Sequence, residues 1–371
     1  MSAGAGSVPV AERPVAQPDA TTGSGRGPLR PAPTAGVAAL AGLALVVAVL
    51  PAAAGDYVVS LATLAAIWAI VNMAWNLLLG YGGVFSLGQL GFFGIGAYGA
   101  AWMHLHTGLP VPLTIACAVA MGALAGLAVG WPSLRLFGPY MVLFTLAFQL
   151  SLLSLAQTGL PGITGGGAGL QGLAPLGLFG ASTEASALWV CGALAIAVAA
   201  LCAGLLRSPF GMAIQALRDS RRTAEARGMA FVGHRVVLFV ISAALTALAG
   251  ALYAHVIGLV VPTVLDLPLL LALLAMLILG GPGTLAGPIV GAVILTFVND
   301  RLSSTEEYQQ VIWGATIIAV TLLLPGGIAG TAGKIRRHGA GWLDRWMDDG
   351  SEDAPGDGRA AERPGGERRG A

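Results

Sequence analysis

Apolar runs of about 20 residues recur between residues 36 and 325, separated by short breaks rich in Gly, Pro or charge. A helix needs about 20 residues to cross a hydrocarbon core of about 30 Å, so each run predicts a membrane span. The pattern places spans at 36–54, 57–79, 83–103, 110–130, 138–157, 186–206, 236–257, 267–280, 284–298 and 310–325. Several are short or interrupted by glycine, and the expected architecture is an all-α polytopic transmembrane bundle of about 9–10 spans with Gly-broken helices.

Polar segments divide the rest of the chain. Residues 1–35 are polar and rich in Pro and Gly, which predicts a disordered tail ahead of a retained first helix rather than a cleaved signal. The apolar body runs over 36–333, and 334–371 reads as a second, mostly disordered tail. Within the body, 158–185 is too polar and too rich in Gly and Pro to span. Residues 208–229, "SPFGMAIQALRDSRRTAEARGM", hold six charged side chains, whereas from 36 to 206 the only ones are Asp56, Arg135 and Glu184.

Charge sets the orientation, because short cytoplasmic loops retain Lys and Arg. With both tails and the 207–235 loop cytoplasmic, ten spans alternate and only Arg301 of the 19 Lys and Arg residues lies outside. Loop 158–185 is then external. The chain is 10% charged with a mean hydropathy of +0.79, where soluble domains carry roughly 25% charged residues. Its net charge of +1 gives no basic field for nucleic acid.

Catalytic and cofactor chemistry finds little support. Two GxGxxG matches, 94–99 and 167–172, follow no strand that would open a dinucleotide fold. "GTAGKI" lacks the first glycine and the Ser or Thr of a phosphate-binding loop. Cys117, Cys191 and Cys202 lie in apolar runs without CxxC spacing, and His104, His106 and His255 have no metal-ligand partners in sequence. No metal site is expected.

The glycine-rich breaks at 80–99 and 280–291 carry more. A broken helix in lipid frees backbone N–H and C=O groups that persist only where protein or a water-filled cavity satisfies them. Such breaks suit a zwitterionic solute or simply let helices pack closely. Ser86, Gln89, Tyr98 and Thr284 are the side chains that could add hydrogen bonds to a solute pathway. "LLLGYGGVFSLGQLGFFGIGAYG" and "LILGGPGTLAGPIVGAV" are similar enough to raise an internal, parallel repeat.

In the charged segment, helical spacing aligns Phe210, Ala213, Ile214 and Leu217 as one stripe and Arg218, Arg221, Arg222 and Glu225 as another, with Gly228 as the stop. An amphipathic surface helix that obeys only the charge rule fits this pattern, as does one that offers its charges to a partner.

The stretches 76–100, 134–148, 208–255 and 277–295 together, in order, resemble the permease subunit of ATP-binding-cassette importers for branched-chain amino acids, and most closely the longer of its two permease types. The resemblance runs from about residue 57 to 328. It implies that 208–229 is the coupling segment that docks on an ATPase, its glycine and preceding acidic position falling on Gly228 and Glu225; with Arg218, Asp219, Arg221 and Arg222 these are the candidate ATPase-coupling residues. Gln89 stands where the family pattern after "SLG" leads one to expect histidine. The implied partners are a second permease, two ATPase subunits that carry ATP and Mg, an external solute-binding protein and the lipid bilayer. No cofactor is expected on this chain. Urea or short amides are alternative solutes, and a stand-alone channel or ion-coupled carrier is the alternative class, although mid-span ionisable residues for ion coupling are almost lacking.

Overall fold

The computed structural model describes residues 44, 47–52, 54–133, 136, 138–159, 163–176, 183–220 and 231–302. The expected tails, the last span at 310–325 and most of the first lie outside these residues.

Nine helices carry the described fold: α1 (Asp56–Asn76), α2 (Gln89–Thr107), α3 (Val111–Ser133), α4 (Pro139–Thr158), α5 (Thr183–Arg207), α6 (Pro209–Asp219), α7 (Phe231–Ile257), α8 (Leu267–Gly280) and α9 (Gly287–Leu302). Five are long and apolar enough to cross a membrane: Asp56–Tyr81, Val111–Ser133, Pro139–Thr158, Glu184–Arg207 and Val232–Ile257. The 14-residue α8 is apolar but shorter. An all-α, multi-pass bundle is therefore the fold.

The expected span 83–103 is corrected at its start. Residues 83–88 are not helical and α2 begins only at Gln89, because α1 ends in a π-turn over Leu77–Tyr81 that hands the chain to an irregular segment. In the same way 281–286 separates α8 from α9. Both breaks lie at one end of the bundle, with α6.

Close backbone approach holds the centre. A Cβ on Gly96 would sit 2.1 Å from the carbonyl oxygen of Ala247, and one on Gly250 2.0 Å from that of Phe93, so α2 and α7 meet glycine to backbone in both directions. Around this contact Trp75, Phe92, Phe93 and Phe239 are fully buried.

The opposite end is closed by a two-residue antiparallel ladder, β1 (Leu170–Gln171) against β2 (Leu259–Val260), with Leu170 opposite Val260. Two histidines grip the same loop. His104 Nε2 accepts from the Ala174 N–H at 3.3 Å, and His255 Nδ1 donates to the Ala174 carbonyl at 2.9 Å. Their rings meet edge to face at 5.5 Å. His255, solitary in the sequence, is thus half of a clasp.

Candidate functional site

Ser208 opens α6: its Oγ accepts from the Gly211 N–H at 3.3 Å, and Pro209 occupies the first turn where no N–H is needed. Ile214 and Leu217 are buried, and Phe210 stacks on His234 at 5.6 Å. The apolar stripe expected at 210–217 therefore seats the helix on the bundle. The second stripe is corrected: α6 ends at Asp219 and Ser220 is extended, so Arg218 does not share one continuous helix with Arg221, Arg222 and Glu225. Those three and Gly228 lie outside the described residues.

Arg218 is itself exposed, and its guanidinium turns back onto the bundle. Its Nη1 donates to the carbonyl oxygen of Gly80 in the π-turn. The stem lies against Gly83, where a Cβ would come within 2.9 Å of Arg218 Cγ, and Gly83 has φ +63°. A Cβ at Gly283 in the other break would lie 3.7 Å from Arg218 Nη1. Asp219, next in the chain, is exposed.

Asn76, on the last turn of α1, joins the two breaks. Its Oδ1 accepts from the Gly283 N–H at 2.8 Å and its Nδ2 donates to the Thr284 carbonyl at 2.8 Å. Glycine at 80 is required for this bridge, since a Cβ there would lie 2.0 Å from Asn76 Oδ1. The Thr284 hydroxyl donates to the Gly281 carbonyl at 2.8 Å and accepts from the Gly287 N–H at 3.2 Å, which caps α9.

The first break is satisfied from three sides. Trp75 Nε1 donates to the Ser86 carbonyl at 2.9 Å, the Leu87 N–H donates to Thr145 Oγ1 at 3.1 Å, and Ser86 Oγ accepts from the Gly88 N–H at 3.3 Å. Gln89 then ties α2 to α7: its Nε2 donates to Ser242 Oγ at 3.1 Å and its Oε1 accepts from Thr246 Oγ1 at 2.8 Å. Ser242 in turn donates to the Ala74 carbonyl at 2.7 Å. Side chains thus answer backbone groups that a broken helix inside a membrane frees.

Of the four expected pathway residues, Ser86 and Gln89 are fully buried within this network and Thr284 is spent on the α9 cap. Tyr98 differs: it is buried, yet its hydroxyl has no hydrogen-bond partner among the described residues. Sequence reading passed over Asn76, Thr145, Gln149, Ser242 and Thr246. A signal was present: Asn72 and Asn76, Thr145 and Gln149, and Ser242 and Thr246 are polar pairs at i, i+4 in otherwise apolar helices. That spacing puts both members on one helix face, and a polar face on a membrane helix belongs in the bundle interior.

Beside Gly83 a cleft of ≈ 550 Å³ is walled by Val84, Phe85, Leu136 and Met141, with Arg235 on α7. The π-turn, α6 and this cleft adjoin at one end. Among the described residues no cluster of three or more His, Cys, Asp or Glu side chains could hold a metal ion.

Residues 57–321 match the family described as branched-chain amino acid transport system / permease component. The chain is 29% identical over 297 residues to the high-affinity branched-chain amino acid transport system permease protein LivM of Escherichia coli, covering 73% of this chain and 69% of that protein. Identity to LivM of Salmonella typhimurium is 28% over the same shares. A further match, 31% over 152 residues, is to LivH of Salmonella typhimurium, covering 40% of this chain and 48% of the relative. No solved structure matches.

Proposed function

This chain belongs to the family of branched-chain amino acid transport permease components, and we propose that it forms one membrane half of an ATP-driven importer for branched-chain or related amino acids. The observation that carries the mechanism is the hook from Arg218 to Gly80, joined through Asn76 to the second break. A push on α6 reaches both helix breaks at once, and such breaks are where a bundle can switch between two arrangements.

The similarity to both LivM and LivH supports pairing with a second permease subunit. Two ATPase subunits dock beneath the 207–235 loop, bind ATP and Mg, and hydrolyse the nucleotide there; this chain binds neither. An external solute-binding protein delivers the amino acid from the side of loop 158–185, and both termini are cytoplasmic. Each tenfold gradient costs about 1.4 kcal/mol, so accumulation needs ATP-driven closure rather than solute binding alone.

Proteoliposomes holding the complete complex provide the test. ATP-dependent accumulation of leucine above the outside concentration is the expected result, with isoleucine and valine as competitors. Downhill leucine flux that ignores ATP would replace this reading with a channel, and competition by urea or acetamide alone would change the solute.

A further inference from the structure

Two buried polar atoms have no hydrogen-bond partner among the described residues, the Tyr98 hydroxyl on α2 and Gln149 Oε1 on α4, and these two helices pack along one seam where Gly88 and Gly91 meet Thr145, Phe148 and Leu152. Gln149 is fully buried and Tyr98 is 8% exposed. The other end of Gln149 is anchored, since its Nε2 donates to the Leu265 carbonyl at 3.3 Å. Leu265 belongs to the 3₁₀ turn Pro262–Leu265, whose side chain in turn presses on α2: a Cβ at Gly94 would lie 2.5 Å from Leu265 Cδ2. One turn earlier, a Cβ at Gly91 would meet the Phe148 ring at 2.7 Å and Leu152 at 3.2 Å.

Tyr98 stands four residues after Gly94 and seven after Gly91, on the same strip of α2. Long helical side chains lean back over the preceding turn, which here is the turn of Gly94. The strip therefore faces Leu265 and the part of α4 that carries Gln149. Tyr98 and Gln149 both lie midway along their helices, the depth at which broken-helix transporters hold their solutes. Asn72 Oδ1 also has no partner among the described residues, but its amide is tied to the Trp68 carbonyl and Met276 on α8, away from this seam.

Polar groups left unpaired in an apolar interior are disfavoured, so a packed seam that retains two of them has a use for them. One is a hydroxyl that can donate. The other is a carboxamide oxygen that can only accept. We propose that Tyr98 and Gln149 bind the solute, the hydroxyl donating to its carboxylate and the carboxamide oxygen accepting from its ammonium, with Leu265, Phe148 and Leu152 around its side chain. This deepens the amino acid permease reading and rests on it. A zwitterion has no net charge, so a seam with one donor and one acceptor suits it, and apolar walls favour an aliphatic side chain over a polar one.

The complex isolated from its own membrane through a tag on this chain is heated with L-leucine, urea or acetamide, and the unfolding temperature is read against solute concentration. Leucine is expected to raise it, and Tyr98→Phe and Gln149→Met are each expected to weaken the apparent Kd about tenfold or more. Without solute, Tyr98→Phe should unfold at the parent temperature or above, because it deletes an unpaired hydroxyl and nothing else. An apparent Kd unchanged in both variants overturns the proposal, and so does a parent complex that responds to none of the three probes, which would leave only a trapped water in the seam. A response to urea or acetamide alone that both variants abolish keeps the site and discards the amino acid.

Discussion

Arg218 donates to the main-chain oxygen of Gly80 across 138 residues of sequence, hooking the last turn of α6 onto the π-turn that ends α1. A guanidinium can hold a carbonyl this way while its aliphatic stem fills the space that Gly83 leaves open. Within the described part of the charged segment, Arg218 thus touches the helix break.

Arg218→Met keeps the stem and removes the hook. Solute-stimulated ATP hydrolysis by the complete complex should fall about tenfold or more, the loss of one charge-assisted hydrogen bond, while the variant still inserts in the membrane. Stimulation at the parent level would mean that the contact plays no part in transmission.

Gln89→Leu should act on stability rather than on solute affinity. Two hydrogen bonds to Ser242 and Thr246 disappear at about 1 kcal/mol each. Denaturant titration in micelles should show the loss, with the KM for leucine uptake within twofold of the parent. A KM that rises steeply at parent stability would return Gln89 to the solute pathway.

Gly96→Ala and Gly250→Ala should each prevent α2 and α7 from closing, because the new methyl would stand about 2 Å from a backbone oxygen that cannot move aside. Folded yield after membrane extraction is the measure. Gly204→Ala on α5 is the control: nothing lies within 4 Å of its Cβ position. Helix propensity there gives a gain of up to about 1 kcal/mol.

Asp266, just before α8, has its carboxyl pKa raised by burial. The charged form is the disfavoured one, so the contribution of this group to folding is fully present below the ordinary carboxylate range and is lost as pH rises through the raised value. Asp266→Asn stays neutral at every pH. It should unfold at a higher temperature than the parent at pH 7 and at the same temperature near pH 3.5, where the parent carboxyl is largely protonated; equal values at both would show that the carboxylate is fully solvated.

How far local pattern reaches is visible residue by residue. The run 57–79 became α1 with its π-turn, 110–130 became α3 and 138–157 became α4, each within a few residues. Ser208 and Pro209 marked the start of α6. Its end escapes the pattern, because Arg218, Arg221, Arg222 and Glu225 keep helical spacing, whereas Ser220 turns extended. Periodicity records which residues could share a face, not whether the backbone continues.

Length and uniform apolarity are properties of a single segment, so the amino-acid sequence alone determined that this chain spans a membrane repeatedly and which family it joins. The partners of its buried polar groups are another matter. Asn76 meets Gly283 and Thr284 across more than 200 residues, Gln89 meets Ser242 across 153, and Gln149 turns to Leu265 across 116. In an interior without water each freed N–H and C=O must be answered by whichever side chain the packed helices bring within 3 Å or so. Only the assembled bundle decided which groups are answered, and that the Tyr98 hydroxyl and the Gln149 carboxamide oxygen have no partner among the described residues.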